Sequence, residues 1–170
     1  EVALPVSGLA ALRTALRAEA GPLAAVHALH AAGFASGADV LEGVTGGAGN
    51  AAAALSSGSF WRRLGEWFEE RGWGTLTFES LHPGVGCLRS PDWAEAEGEK
   101  ELQPSCAFTT GLLSGILTLA AGGAIAVLET SCRARGDDEC TWIFGSEATV
   151  QKLYTTLLEG RSFDDAVAEL

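Results

Sequence analysis

Twenty-two consecutive residues, Ala107 to Leu128, carry no charge, and no other feature of the 170-residue chain constrains its fold so tightly. A run of this length can cross a bilayer, and it holds a Gly-x-x-x-Gly pair, Gly111 and Gly115, of the kind that lets two helices approach closely. Gly122-Gly123 interrupts it, and Ala124 to Leu128 beyond the break suits a buried strand better than a continuing helix. A core helix over Cys106–Ala121 followed by a core strand over Ala124–Ser131 therefore accounts for the run without a membrane span. The chain is 47% hydrophobic, enough to bury both elements in a single domain, residues 1–170, without disulfide staples.

The remaining segments predict helices gathered around an antiparallel sheet. Leu9, Leu12 and Leu16 recur at helical spacing over Ser7–Glu19, and Gly21-Pro22 breaks the chain and starts a second helix that runs to about Val44. Small residues along that helix, Gly33 and Gly37 among them, suit close packing against another helix, in a partner copy or within the chain. Thr45–Asn50 reads as a loop. Phe60, Leu64, Trp67 and Phe68 make one broad apolar stripe on a helix over about Ser59–Arg71. The period then falls to two at Leu76, Phe78 and Ser80, and His82-Pro83-Gly84 reads as a hairpin turn whose return strand carries Val85, Cys87 and Leu88. Ser90–Gln103 is polar and acidic, a surface connection in which Trp93 alone asks for burial. A strand over Glu139–Phe144 and helices over Glu147–Leu158 and Phe163–Leu170 complete an α+β layout.

Charge narrows the partners. The formal net charge of -11 repels phosphate backbones, and the basic residues form no stripe, so no nucleic acid is expected. No basic segment followed by an apolar run and a small-residue cleavage site appears near Glu1, so a cytoplasmic location and reduced thiols are expected for the four cysteines.

Three of those thiols flank the uncharged run in a regular arrangement. Cys106 precedes it, Glu129 follows it, Cys132 comes three positions later, and Cys140 opens the next strand beyond an Arg135-Gly136-Asp137-Asp138 turn. Cys106 at a helix start gains from the helix dipole, which favours a thiolate. Three thiolates and a carboxylate suit tetrahedral zinc, and with all four positions filled by protein such an ion is structural and leaves no place for a catalytic water. Spacing alone also fits ordinary buried thiols beside a solvated carboxylate, since no Cys-x-x-Cys pair is present. Cys87 reads as a small buried hydrophobe.

Gln103-Pro104-Ser105-Cys106-Ala107-Phe108, Gly111–Gly115, Leu128-Glu129-Thr130-Ser131-Cys132 and Gly136-Asp137-Asp138-Glu139-Cys140 together resemble the 4-vinyl reductase domain family. Ala32–Gly37 and Gly72-Trp73-Gly74 are similar to it as well, so the resemblance spans about residues 20–146, with its specific part in the C-terminal half. The resemblance implies a zinc-stabilised, trafficking-subunit-like ligand-binding fold. It implies a zinc held by Cys106, Glu129, Cys132 and Cys140, as in the sensor domains of aromatic-responsive transcription activators, and a homodimer. It also implies an apolar or aromatic small molecule as partner, with a sensor or carrier role.

In phenol-type sensors of this family the effector lies against aromatic residues in and beside the strands. The corresponding positions here are Gly86, Leu88, Thr110 and Val127, so a larger or more aliphatic ligand is expected than phenol. Phe34, Trp61, Trp67, Trp73, Phe78 and Ile116 are candidates to line the same pocket, and His27 or His30 to orient a ligand, although aromatic residues at helical spacing are also ordinary core. The family name leaves a second expectation open, an enzyme or substrate-delivery protein acting on a tetrapyrrole. Against catalysis, His27, His30 and His82 sit in no recognisable triad setting, and no dinucleotide or phosphate loop is present.

Overall fold

The computed structural model describes residues 5–47, 56–98 and 100–170. Its elements run in the order α1 (Val6–Ala20), α2 (Pro22–Thr45), α3 (Ser57–Glu70), β1 (Thr77–His82), β2 (Val85–Ser90), α4 (Ala107–Ala121), β3 (Ala126–Ser131), β4 (Cys140–Gly145), α5 (Glu147–Leu158) and α6 (Phe163–Ala168). The expected α+β class with an antiparallel sheet is borne out. Local chemistry sets several boundaries. Pro22 occupies the first turn of α2, and Ser56 and Ser146 cap α3 and α5 by accepting hydrogen bonds from Ser59 N and Thr149 N. The β1–β2 turn needs a left-handed residue, which Gly84 supplies at φ 85°. Of the expected Thr45–Asn50 loop, Thr45 belongs to α2, Gly46 and Gly47 follow the helix, and 48–50 lie outside the described residues.

The uncharged run divides as expected. Helix α4 ends at Gly122 in the left-handed conformation, and the chain re-enters as β3, where Ile125 N donates to Thr118 Oγ1. No helix among the described residues is long and apolar enough to cross a membrane. Helix α4 instead crosses α2 with backbone against backbone. A Cβ on Gly33 would stand 2.0 Å from Phe108 O, and one on Gly111 2.0 Å from His30 O, while Gly37 and Gly115 meet each other's helices in the same way. The small-residue stripe of α2 is thus taken up inside the chain, and what α2 offers a partner copy is its other side, where Leu23 and Val26 are exposed.

The four strands pair in the order β1-β2-β4-β3, all antiparallel. Side-chain alternation gives the sheet two dissimilar faces. One carries Gly86, Leu88, Val127, Glu129, Trp142 and Phe144, and most of these join a large core cluster with Phe60, Leu64 and Phe68 of α3 and Leu112, Leu113 and Ile116 of α4. The other carries Val85 and Ile143 beneath Leu153 of α5 and Ala166 of α6, a smaller cluster.

The Ser90–Gln103 connection corrects the sequence reading. Trp93 is fully buried as expected, but Ser90, Glu95 and Ala96 are buried with it. Glu95 is drawn in because its carboxylate answers the open N–H groups at the start of α4. It accepts from Phe108 N at 3.0 Å, from Thr109 N at 2.8 Å and from Thr109 Oγ1 at 2.5 Å.

Candidate metal centre and ligand-facing sheet

Four elements converge on one point beside the α4 N-terminus. Cys106 is the residue preceding α4, Glu129 lies on β3, Cys132 follows that strand, and Cys140 opens β4 after a knuckle of a 3-10 turn, Arg133–Arg135, and Gly136. The knuckle is tied by Asp137, whose carboxylate accepts from Cys132 N at 2.7 Å and is paired with Arg135 at 2.6 Å. Ligand atoms of Cys106, Glu129, Cys132 and Cys140 all lie within 4.8 Å of one another, so the four residues picked out by spacing come together.

The distances fit a metal better than any alternative. Cys106 Sγ is 3.8 Å from Cys132 Sγ and 4.0 Å from Cys140 Sγ. A tetrahedral ion with bonds of about 2.3 Å to sulfur spaces its sulfurs roughly 3.8 Å apart, whereas a disulfide needs about 2.05 Å. Glu129 Oε2 accepts from Cys106 N at 2.9 Å, while its Oε1 is buried without a partner, which leaves a lone pair for a cation. The residues present could therefore hold a metal ion.

Their electrostatics point the same way. Burial first, and then the neighbouring Cys132, pushes the Glu129 carboxyl up to about 9. Hydrogen bonds from Cys106 and Cys140 drive the Cys132 thiol far down, and hydrogen bonding to those same partners together with burial raises Cys106 well above its ordinary value. Against a hydrogen bond from Cys106 that favours its thiolate, contact with Cys132 and burial push Cys140 up to about 12. One negative charge thus suppresses ionisation of its three neighbours, a frustration that a dication removes. Cys87, the remaining cysteine, is fully buried on the opposite face of the sheet, where burial pushes its thiol up to about 11.

A polar shell surrounds the four. Arg133 N donates to Cys140 Sγ at 3.4 Å, and Ser105 Oγ lies 3.7 Å from Cys132 Sγ. Ser105 Oγ in turn accepts from Arg13 Nη1 at 3.4 Å, and the same nitrogen donates to Glu95 O at 2.9 Å. Sequence reasoning missed Arg13 and Glu95. Arg13 sits among polar helix positions, and nothing local separates Glu95 from the acidic run around it.

Next to the metal residues lies the sheet face expected to meet a ligand. Leu88 and Ile116 are buried in the large cluster, and Trp73 and Val127 pack against it. Trp73 is stacked on Phe108, ring centroids 5.9 Å apart and 9° between planes. Gly86 has its missing side chain replaced by a neighbour: a Cβ there would come within 2.2 Å of Phe144 Cζ. Phe78, on edge strand β1, is 37% exposed and stacks on Trp61 at 4.2 Å, and both approach Phe144. Trp67 packs on the cluster but turns its Nε1 toward Gly43 of α2. Thr110 is half-buried and its hydroxyl donates to Cys106 O at 2.8 Å. Phe34 stands apart from the cluster on α2, 45% exposed, and His27 on the same helix is exposed as well. His30 is half-buried, and its carbonyl backs onto Gly111.

Two residues of this face went unrecognised in the sequence, Trp142 and Phe144. Trp142 is fully buried between Leu88 of β2 and Glu129 of β3 in the strand register, yet its Nε1 has no hydrogen-bond partner. By contrast Trp93, whose ring centroid is 5.3 Å away, donates from Nε1 to Thr109 Oγ1 at 2.7 Å.

Comparison with known proteins agrees with this arrangement. Residues 92–146 match the family model of the 4-vinyl reductase domain, which takes in the metal knuckle, α4 and the two inner strands of that region. No curated protein matches at the sequence level. Among solved structures, the fold is similar to the phenol-responsive sensory domain of the transcription activator PoxR with phenol, at TM-score 0.72 and 19% identity over 85% of this chain and 76% of that one. It is similar to a vinyl-4-reductase family protein from Methanocaldococcus jannaschii, at TM-score 0.54 and 17% identity over 85% of this chain and 81% of that one. It is also similar to a trafficking protein particle complex subunit 3 from Naegleria fowleri covalently bound to palmitic acid, at TM-score 0.61 and 12% identity over 82% of this chain and 91% of that one. The 4-vinyl reductase resemblance read from the sequence is therefore borne out over residues 92–146, set within the fold that those three structures share.

Proposed function

We propose that the domain is a small-molecule-binding sensor or carrier module in which Cys106, Glu129, Cys132 and Cys140 hold a structural zinc. Bound there, the ion supplies no chemistry to a substrate: it joins the start of α4 to the β3–β4 knuckle and fixes the sheet face on which a ligand rests. The observation that carries the ligand half of the reading is Trp142 Nε1. A buried N–H without a partner costs about 1–3 kcal/mol, and this one belongs to the same apolar cluster as Leu88 and Ile116. An apolar ligand with one hydrogen-bond acceptor would satisfy it. The similar folds of a phenol-responsive sensory domain and of a palmitate-bearing trafficking subunit support an apolar occupant.

The ligand-facing positions support something other than phenol. Leu88, Ile116 and Val127 are aliphatic, Thr110 spends its hydroxyl on Cys106, and the ring over Gly86 comes from Phe144 on the adjacent strand. Trp73 and Phe78 flank this region, while Phe34 belongs to an outer side of α2 and suits a partner copy better than a ligand. A cytoplasmic homodimer through Leu12 of α1 and Leu23 and Val26 of α2, all exposed, completes the proposal; light scattering that returns a monomer at working concentration removes the dimer.

Native mass spectrometry of the untreated protein, before and after mild heating, tests the ligand. The expected result is an added apolar mass that Trp142→Phe loses at least about tenfold more readily, the value of one hydrogen bond near 1.4 kcal/mol. A bound tetrapyrrole would instead favour the substrate-delivery role. No added mass, together with unchanged tryptophan fluorescence on titration with long-chain acids and substituted aromatics, overturns the reading.

A further inference from the structure

Arg13 is the one Lys or Arg among the described residues with less than a tenth of its surface exposed, at 4%. A guanidinium buried so deeply is costly unless anions nearby offset it. Its own close partners are modest: a carbonyl, a hydroxyl, and Glu101 Oε1 at 3.8 Å. Beyond them lies the larger charge. Three thiolates and one carboxylate around a dication sum to four negative and two positive charges, a net of two negative charges in a buried place. We infer that Arg13 is the outer-shell cation of this metal centre, acting through Ser105, and that the centre thereby holds helix α1 in place. The inference rests on the zinc reading proposed above.

The path is short. Ser105 Oγ accepts from Arg13, so the hydroxyl's own hydrogen is free for Cys132 Sγ, 3.7 Å away. Hydrogen bonds to metal-bound groups fix their orientation and tune their basicity, and this one carries the guanidinium's charge toward the sulfur. A second link runs beside it. Arg17 of α1 is paired with Glu101, and Glu101 N donates at 2.8 Å to Ala134 O, which lies inside the knuckle between Cys132 and Cys140. Helix α1 thus makes its polar contacts with the segment that leads directly into Cys106. Arg13 touches no metal ligand itself and is a positioning residue.

The experiment compares Arg13→Met and Arg13→Lys with Arg17→Met in zinc-loaded and cobalt-loaded protein. The zinc content of the parent is measured first, and a parent without zinc overturns the zinc reading and this inference with it. In a zinc-bearing parent, Arg13→Met is expected to release zinc to an excess of chelator about 10- to 100-fold faster, the range found for outer-shell partners. It should also shift the thiolate-to-cobalt charge-transfer band. Arg13→Lys should restore part of both, and Arg17→Met should change release less than about twofold, since its pair is less deeply buried. Hydrogen exchange on the parent needs no variant: chelation is expected to deprotect Val6–Ala20 before Glu147–Leu158. Parental release rate and band position in a folded Arg13→Met, or α1 amides that stay protected when the knuckle has opened, overturn the inference.

Discussion

The two faces of the sheet are built on different principles. Toward α5 and α6, Val85 and Ile143 meet Leu153 and Ala166 in a small and wholly apolar contact, which any side chains of the right size and hydrophobicity would satisfy. Toward α3 and α4 the packing is particular. Helix α4 is pressed on α2 at glycines, Glu95 and Thr109 answer its first N–H groups, and the thiol cluster binds its start to the knuckle. The second face therefore holds its geometry closely enough to position a metal and to leave one indole N–H open, while the first only has to be covered. If that contrast is right, equal chemical changes should have unequal consequences on the two sides.

The largest difference is expected at the metal. Structural zinc contributes folding free energy outright, on the order of 10 kcal/mol in small domains. Cys132→Ser removes the sulfur on which the contacts from Cys106 and Ser105 converge. It should purify without zinc and melt at least about 10 °C lower, a loss of some 3–5 kcal/mol for a domain of this size. Elemental analysis beside a thermal melt reads both, and a zinc-free variant as stable as the parent would remove the metal from the account of this face. Next in size is Gly111→Val. Its Cβ would stand 2.0 Å from His30 O, a backbone atom that cannot step aside, so about 3 kcal/mol or more should go in urea denaturation.

How far these features were legible in the sequence follows from their physical range. The four metal residues were legible because metal chemistry is written in residue type and short spacing, and three of them fall within one knuckle and its strands. Helix and strand periods, the break at Gly122-Gly123 and the turn at Gly84 are local as well. The pairing of Gly33 and Gly37 with Gly111 and Gly115 was only half visible, since each stripe announces that something comes close without saying what. Glu95 and Arg13 were invisible for the same reason: both are ordinary surface types whose burial is decided by partners 13 to 92 positions away. Phe144 covering Gly86 is a cross-strand event, fixed by the β2–β4 register and not by either strand alone.

On the far face, Leu153→Ala sharpens the contrast. Leu153 is fully buried at the centre of the small cluster, so the cavity should cost about 2–3 kcal/mol. The zinc content should stay at one per chain, and exchange should rise in α5 and α6 but not in α4. Loss of metal in this variant would mean that the two faces behave as one cooperative block.

The smallest effect is expected at Cys87, and it is the most pointed, because the same residue type occurs on both faces. Cys87 and Cys140 are both fully buried, on neighbouring strands of one sheet. Cys87 alternates with Gly86 and Leu88, which puts it opposite the metal residues, beside Ile143 in the register. Its thiol, pushed up to about 11, carries roughly one part in ten thousand of thiolate at pH 7, and it has no place among the grouped ligand atoms. Cys87→Ala should therefore keep its zinc and lose about 1 kcal/mol, the ordinary cost of a small core truncation. Cys140→Ala should lose the metal together with several times that stability. Zinc measured beside urea midpoints for the two variants decides it: a zinc-free Cys87→Ala would show that burial alone, and not membership of the α4 knuckle, sets what a cysteine in this sheet does.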